Sequence, residues 1–494
     1  MPGRSQTQLA CPPSPQHPRP NLRTWFAVLV GKAIQLGLRI TRLGGGSSLP
    51  GLVGLRLDPN ILQKIVGGSG ARVILVTGSN GKTTTCKLIA GALSASGLRI
   101  LGNTTGANLK SGLVSALIAS STLTGRIQAD VIVFEVDEAS MRRVIPDINP
   151  SVVVVTNCFR DQLDRYGEVD ATLELIRQAT DRMPESATLL LNADDPLVAD
   201  LGRTARCIVR YYGLDAGPVP EPATRAREAG EADLSPRDVV NCLACGEYFI
   251  YEATTIGHLG VYSCPRCGRS RPALDFTARH IEQVPGAGYR FSVHWGAEDQ
   301  IPISLRLPGL YNAYNGLAAA ACCLVFGTCP KAAASGINSA GSAFGRAETV
   351  DIGDKRLSLV LVKNPVGLSE VAKSVAGDPS IAVIMFCLND NYADGRDISW
   401  IWDADLSPMV ERPTPFRLAV CSGVRAWDAA LRLKYAGLDP SVMQVEPNLG
   451  RALDAALANT TPGETLGILP TYTAMLGVRE EIRKRAHIRQ FWRS

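Results

Sequence analysis

A chain of 494 residues, 46% of them hydrophobic, is long enough for two or three domains, each burying a core of its own. Lys and Arg exceed Asp and Glu by only 51 to 46. A formal charge of +5 spread over so large a surface gives no electrostatic reason to expect nucleic acid.

In chain order, residues 1–22 are rich in Pro, Gln, Ser and Arg, carry no cleavable export signal and read as a disordered extension. Residues 24–41, TWFAVLVGKAIQLGLRIT, have their apolar run interrupted by Lys32, Gln35 and Arg39. That run is far shorter than the roughly 20 residues of a membrane span, so an amphipathic helix is expected within 23–50. It either packs on the next domain or rests on a membrane surface. Thirteen cysteines without an export signal, four of them in C-x-x-C pairs, suit a reducing cytoplasm and a metal site better than disulfides. The expected location is the cytoplasm, with peripheral contact at the inner face of the membrane as its extension.

From residue 72, β-branched runs alternate with helical stretches: RVILVTG, ADVIVFEVD and PSVVVVTN each lead into a helix. Parallel strands need crossovers, so this alternation predicts an α/β, doubly wound domain, placed at 51–345. The Pro, Glu and Ala-rich stretch 217–236 interrupts it and introduces a small insertion at about 240–272. A second, C-terminal α/β domain is placed at 346–494, with strands in RLSLVLV, IAVIMFCLND, FRLAVCSG, VMQVEP and TLGILP.

The segment VILVTGSNGKTTT, Val73 to Thr85, is a buried strand, a Gly-rich turn and a helix start. Gly78 and Gly81 let backbone N–H groups curl around phosphate oxygens, Lys82 neutralises the β and γ charges, and Thr83 is placed to hold Mg2+. Gly78, Asn80, Gly81, Lys82, Thr83 and Thr84 are therefore the predicted ATP-binding loop. The turn is shorter than the usual G-x-x-x-x-G-K-[ST], because Val76 occupies its first Gly position.

In the TGSNGKTTT form this loop resembles the Mur ligases and folylpolyglutamate synthases, and further stretches follow in the same order. Glu135 matches the family's magnesium carboxylate, TNCFRDQLDRYGE (156–168) its T-N-x-x-x-D-H-L-D, and LNADDP (191–196) its N-x-D-D-P. YNAYN (311–315) corresponds to H-N-x-x-N, which implies nucleotide contacts for Asn312 and Asn315, and FGRAE (344–348) to the G-R-x-E opening the third domain. Gln162 replaces a metal-binding His of the family with a neutral amide, a weaker ligand for a second magnesium. The loop also begins too early for the precursor-binding domain that precedes it in most Mur ligases.

Cys242, Cys245, Cys264 and Cys267 form C-x2-C-x18-C-x2-C, the spacing of a zinc ribbon, with Gly246 and Gly268 behind the two turns. Four thiolates leave no open position for water, so the Zn2+ they predict is structural.

A Mur-type ATP domain interrupted by such a ribbon and followed by KNPVG (363–367) and NDNYADGRDISWIWDAD (389–405) closely resembles the MurT family, the larger subunits of lipid II isoglutaminyl synthases. The resemblance implies a carbon–nitrogen ligase with glutamine as nitrogen donor, in a heterodimer with a GatD-like glutaminase. ATP would phosphorylate the α-carboxylate of D-glutamate in the lipid II stem peptide, and ammonia from the partner would displace phosphate to give D-isoglutamine. It also implies that Asp397, in DGRD, completes the glutaminase triad. The chain itself has no G-x-C-x-G nucleophile turn. The competing expectations are a stand-alone amino-acid ligase of the folylpolyglutamate type and a zinc-ribbon binding module with a vestigial nucleotide site.

Overall fold

The computed structural model describes residues 20–41, 48–103, 107–159, 169–215, 241–284, 288–340 and 348–485. Most of the extension at 1–22, the spacer at 217–236, Gln162 and all but the last residue of FGRAE lie outside these residues.

Where a single N-terminal helix is expected, the chain forms Leu22–Thr41 and then begins a second helix, Leu49–Leu57, followed by a third, Ile61–Ser69. Gly51 and Gly54 weaken the helical signal of LPGLVGLRL, yet they are what lets this helix approach its neighbour. A Cβ on Gly51 would collide with the Ser111 carbonyl of helix Lys110–Ser120. Ala27, Val28, Ile61, Leu62 and Ile65 are buried in the same core as Leu113, Leu117 and Phe134. A buried Asp58–Lys64 pair at 2.9 Å, with the Thr24 hydroxyl donating to Asp58 at 2.7 Å, ties the first helix to the turn before the third.

The main sheet holds β1 (Arg72–Thr77), β2 (Ile100–Gly102), β3 (Val131–Glu135), β4 (Val152–Val155), β5 (Thr188–Asn192), β6 (Ile208–Leu214), β9 (Phe276–Val284), β10 (Gly288–Trp295) and β11 (Asp299–Leu305). Its order is β11-β10-β9-β6-β5-β4-β1-β3-β2, parallel except for the β9-β10-β11 meander. The central strands are apolar on both faces because helices cover both: Lys82–Ala95, Tyr311–Phe326 and Pro330–Ser339 lie over one core, the N-terminal helices and Lys110–Ser120 over the other.

Between β6 and its parallel neighbour β9 the chain leaves the sheet to form the antiparallel pair β7 (Ile250–Thr254) and β8 (Gly260–Ser263). LNADDP anchors this insertion. Asp195 accepts from Leu197 and Val198 N–H and caps the next helix, Pro196–Leu201. Asp194 accepts from Arg271 at 2.8 Å, Tyr314 at 2.7 Å and the Leu214 amide at 2.9 Å. Burial raises the Asp194 carboxyl against the opposing pull of Arg271. This motif therefore holds the insertion to the sheet.

The C-terminal sheet has β12 (Glu348–Ile352), β13 (Lys355–Leu359), β14 (Val383–Cys387), β15 (Leu418–Ser422), β16 (Met443–Val445) and β17 (Thr465–Pro470) in the order β12-β13-β17-β14-β15-β16. All five predicted strands are present. β12 adds an antiparallel edge beyond the five predicted strands.

Candidate functional site

β1 delivers the phosphate loop at its carboxyl end, between β3 and β4. Gly78 and Gly81 have φ of 121° and 87°, where an L side chain is strained. A Cβ at Gly78 would strike Thr156, and one at Gly81 would strike Asn315. The turn is thus tight because β4 and helix Tyr311–Phe326 close on it. Asn157, which ends the TN motif, accepts the Asn80 amide at 2.8 Å and holds the loop open at its tip.

Lys82 and Thr83 begin helix Lys82–Ala95, each against a carboxylate. The buried Lys82 ammonium lies 2.7 Å from Glu138 Oε1 and 2.5 Å from the Gly78 carbonyl. Thr83 Oγ1 donates to Glu135 Oε2 at 2.7 Å, and Asn108 donates to the other oxygen of Glu135 at 3.3 Å. Asn103 clamps the Glu135 backbone through both N–H and C=O at 2.8 Å. Hydroxyl and carboxylate oxygens side by side at a phosphate loop are the hard donors Mg2+ selects. Thr84 is buried in the same first turn. Asn315 accepts from Thr85 at 3.3 Å and donates to Asn312 at 3.0 Å, so the two asparagines form one support under the loop.

The C-terminal domain completes this site. Lys363 donates to the Ser79 carbonyl at 2.9 Å. Asn364 caps helix Pro365–Ala376 through Gly367 N–H and donates to Asn80 Oδ1 at 2.9 Å. Next to these contacts a cleft lined by Asn157, Phe159, Leu259, Tyr311, Val366 and Glu370, among others, joins sheet domain, insertion and C-terminal domain. It is largely apolar with a few convergent polar groups, as suits an aromatic base beside a phosphate loop. The sequence motifs alone assign no site role to Glu138, Asn157, Lys363 or Asn364. Asn157 and KNPVG stood within the quoted motifs, whereas nothing but proximity to Glu135 marked Glu138.

The four cysteines come together. Their Sγ atoms all lie within 4.8 Å of one another, with Cys242–Cys267 and Cys245–Cys264 at 3.5 Å. Four sulfurs about 2.3 Å from one zinc ion would stand roughly 3.8 Å apart, so the cage fits a tetrahedral ion. The two turns are near copies: Gly246 N–H bonds to Cys242 O and Gly268 N–H to Cys264 O, with both glycines at positive φ. Arg269, behind the second turn, reaches Asp200 of the sheet domain at 2.8 Å.

Asp397 lies elsewhere and is not part of the cleft lining. It sits on the loop after β14, half-exposed, where its Oδ1 accepts the Ser399 amide at 2.8 Å. Neighbouring segments interlock: Thr473 bonds Asn389, Asn391 and Asp394, and Asp390 pairs with Arg425 at 2.8 Å. Tyr392 and Trp402 on this segment, and Val424, Trp427 and Tyr435 before and along helix Ala426–Tyr435, are exposed, with Trp402 edge-on to Tyr435 at 5.7 Å. These bonds tie the loop down, while Tyr392 and Trp402 on it face outward.

Residues 76–236 match the Mur ligase middle domain, and residues 361–475 match the MurT ligase C-terminal family. The chain is 36% identical to the MurT subunit of the glutamine-hydrolysing lipid II isoglutaminyl synthase of Streptococcus pneumoniae, over 95% of this chain and 99% of that one. It is 31% identical to the corresponding Staphylococcus aureus subunit, over 94% and 98%. Among solved structures, a pseudomurein peptide ligase type C from Methanothermus fervidus aligns with a TM-score of 0.63 at 21% identity, over 87% of this chain and 84% of its own. Escherichia coli FolC with ADP aligns at 0.55 and 15%, over 86% and 92%. These two likenesses carry the fold alone.

Proposed function

The chain belongs to the MurT family of lipid II isoglutaminyl synthase subunits, and from that premise we propose how its residues divide the work. It is a carbon–nitrogen ligase of the Mur type, using ATP and Mg2+ and acting with a partner subunit. The reaction is amidation of the α-carboxylate of D-glutamate in the lipid II stem peptide. A carboxylate is a poor electrophile with a poor leaving group. Transfer of the γ-phosphoryl group to its oxygen gives an acyl phosphate, and ammonia then attacks the acyl carbon and expels phosphate.

In this reading the amides of Gly78–Gly81 and the Lys82 ammonium bind the β and γ phosphates, and the preset donors offset the charge that develops on the transferred group. Thr83 and Glu135 would hold Mg2+, which would supply positive charge to screen the phosphates. Glu138 fixes the Lys82 ammonium. Asn312 and Asn315 support the loop against the nucleotide, while Lys363 and Asn364 bring the C-terminal domain onto it. The observation that carries the reading is this assembly of Lys82, Thr83, Glu135 and the two Gly turns around one cradle, closed by the C-terminal domain. Cys242, Cys245, Cys264 and Cys267 hold a structural Zn2+.

Ammonia comes from a GatD-like glutaminase, with Asp397 orienting the partner's catalytic imidazole in the tautomer that accepts a cysteine proton. The exposed Tyr392 and Trp402 on the same chain segment as Asp397 support this reading, since an interface core favours Trp and Tyr. Mass analysis of lipid II after incubation with ATP, glutamine and the reconstituted pair tests it. One amidation lowers the mass by about one unit, by the replacement of OH with NH2 in the acyl-transfer scheme above. An unchanged mass would refute the reading.

A further inference from the structure

Helix Leu22–Thr41 packs on the sheet domain by one side and leaves the other uncovered among the described residues. At about 100° per residue, Thr24, Ala27, Val28 and Gly31 fall on a common face, and all four are buried. Leu22, Trp25, Phe26, Leu29, Leu36 and Ile40 fall within a sector of about 100° on the opposite side. Large parts of them are open to solvent: Leu22 is 77% exposed, Phe26 58%, Leu36 59% and Ile40 73%. The helix runs for 20 residues, so this stripe is about 30 Å long. On the adjoining helix Leu49–Leu57, Leu49 and Leu52 are exposed as well.

The charges are placed as systematically as the apolar groups. By the same winding Arg23 lies on one flank of the stripe, and Lys32 and Arg39 lie on the other, at the boundary between apolar face and body. Arg23 donates to the Leu57 carbonyl at 2.5 Å and Lys32 to the Ala119 carbonyl at 3.4 Å, so both stems run beside the helix and hold their charge at the flank. Neither this helix nor Leu49–Leu57, which adds the exposed Arg56, contains an acidic residue. An apolar stripe with Trp and Phe, edged by cations, matches the boundary between acyl chains and anionic headgroups, where long basic side chains keep their charge in water. A water-facing helix would gain nothing from such a stripe, because an exposed apolar band of this length is a binding surface or an aggregation liability.

We propose that the exposed face of helix Leu22–Thr41 docks the protein on an anionic phospholipid surface, lying in its plane without crossing it. No helix among the described residues is long and apolar enough to cross a membrane. The proposal rests on the reading above for its purpose, since a lipid-linked substrate presents its peptide at such a surface, but not for its physical basis.

The test uses the full chain with its glutaminase partner and needs no turnover in its first arm. Phe26→Glu/Leu29→Glu/Leu36→Glu alters only exposed positions, so its melting curve should match the parent. Sedimentation with vesicles of phosphatidylglycerol and phosphatidylcholine should show binding by the parent, reduced roughly tenfold or more in the triple variant. Arg39→Glu should weaken binding by a few fold, and added salt or pure phosphatidylcholine should do the same to the parent. The second arm compares amidation of lipid II embedded in those vesicles with amidation of a precursor lacking the polyprenyl tail. The triple variant should be impaired on the first and equal to the parent on the second. Absence of vesicle binding by the parent, or unchanged binding by the triple variant, would overturn the proposal. So would loss of the glutaminase, a change of oligomeric state or equal loss on the soluble precursor, each of which assigns the face to a protein contact or to the fold. Vesicle binding is read without amidation, so an error in the functional reading would leave this arm standing.

Discussion

Glu135 and Asp397 are both acidic residues near the carboxyl end of a parallel strand, yet their surroundings differ. Glu135 is buried, and its neighbours Thr83, Asn103 and Asn108 all come from this chain. Asp397 is half-exposed on a loop whose own scaffold is satisfied by Thr473 and Arg425, and Tyr392 and Trp402 on the same segment are exposed. The contacts of the first site are made within one polypeptide. The second resembles half of an interface, and the contrast fits a divided enzyme in which activation of the acid and release of ammonia belong to different subunits.

The largest effect should come from breaking the self-contained site. Lys82→Ala should lower ATP-dependent amidation by at least about 100-fold with glutamine and with ammonium salts alike. It should also lower stability, because Glu138 would be left buried without its cation, at a cost of about 3–5 kcal/mol. Activity and denaturant midpoint, measured together, check both outcomes; an active variant would remove the loop from the ATP site. A charge-retaining Lys82→Arg should recover more of the stability than of the activity, because the planar fork fits a carboxylate but not the tight cradle.

Cys264→Ser comes next and acts through folding. Bound zinc, measured by elemental analysis, should fall from one per chain to well below it. The melting temperature should also drop, since a closed site of this kind contributes several kcal/mol to the segment that it organises. Melting like the parent after metal loss would mean that Arg269–Asp200 and the Asp194 network suffice to hold the insertion. Asn364→Ala should be milder. It removes a helix cap of about 1 kcal/mol and the side-chain bonds to Asn80. KM for ATP should rise several-fold with kcat little changed, and a steady-state titration with ATP reads that split.

The contrast also explains what could be read from sequence. TGSNGKTTT and the two C-x-x-C pairs are local: their spacing alone determines which groups can converge, and the residues named in them meet as expected. All five predicted strands of the second sheet appear because buried parallel strands are continuous apolar runs. What escaped was non-local. Glu138 matters only because β3 places it beside Lys82, and Lys363 and Asn364 only because a separate domain docks on the loop. LNADDP matches a family motif from sequence, but only the fold shows that it holds the insertion in place through Asp194 and Asp195. Helix Leu49–Leu57 escaped because its glycines serve close packing, which no propensity reveals.

The most direct measurement is lipid II amidation by the reconstituted pair carrying Asp397→Asn, with glutamine and with an ammonium salt as nitrogen source. The amide keeps the shape of the loop and its bond from the Ser399 amide. Glutamine-dependent amidation should be lost, because the partner's imidazole no longer has a carboxylate to fix its tautomer. Amidation with ammonium at high concentration should match the parent, since the phosphate loop, Glu135 and Lys82 are untouched. Equal loss with both nitrogen sources would assign Asp397 to the fold or to the ATP site. Unimpaired glutamine-dependent activity would contradict the divided-enzyme account at its centre.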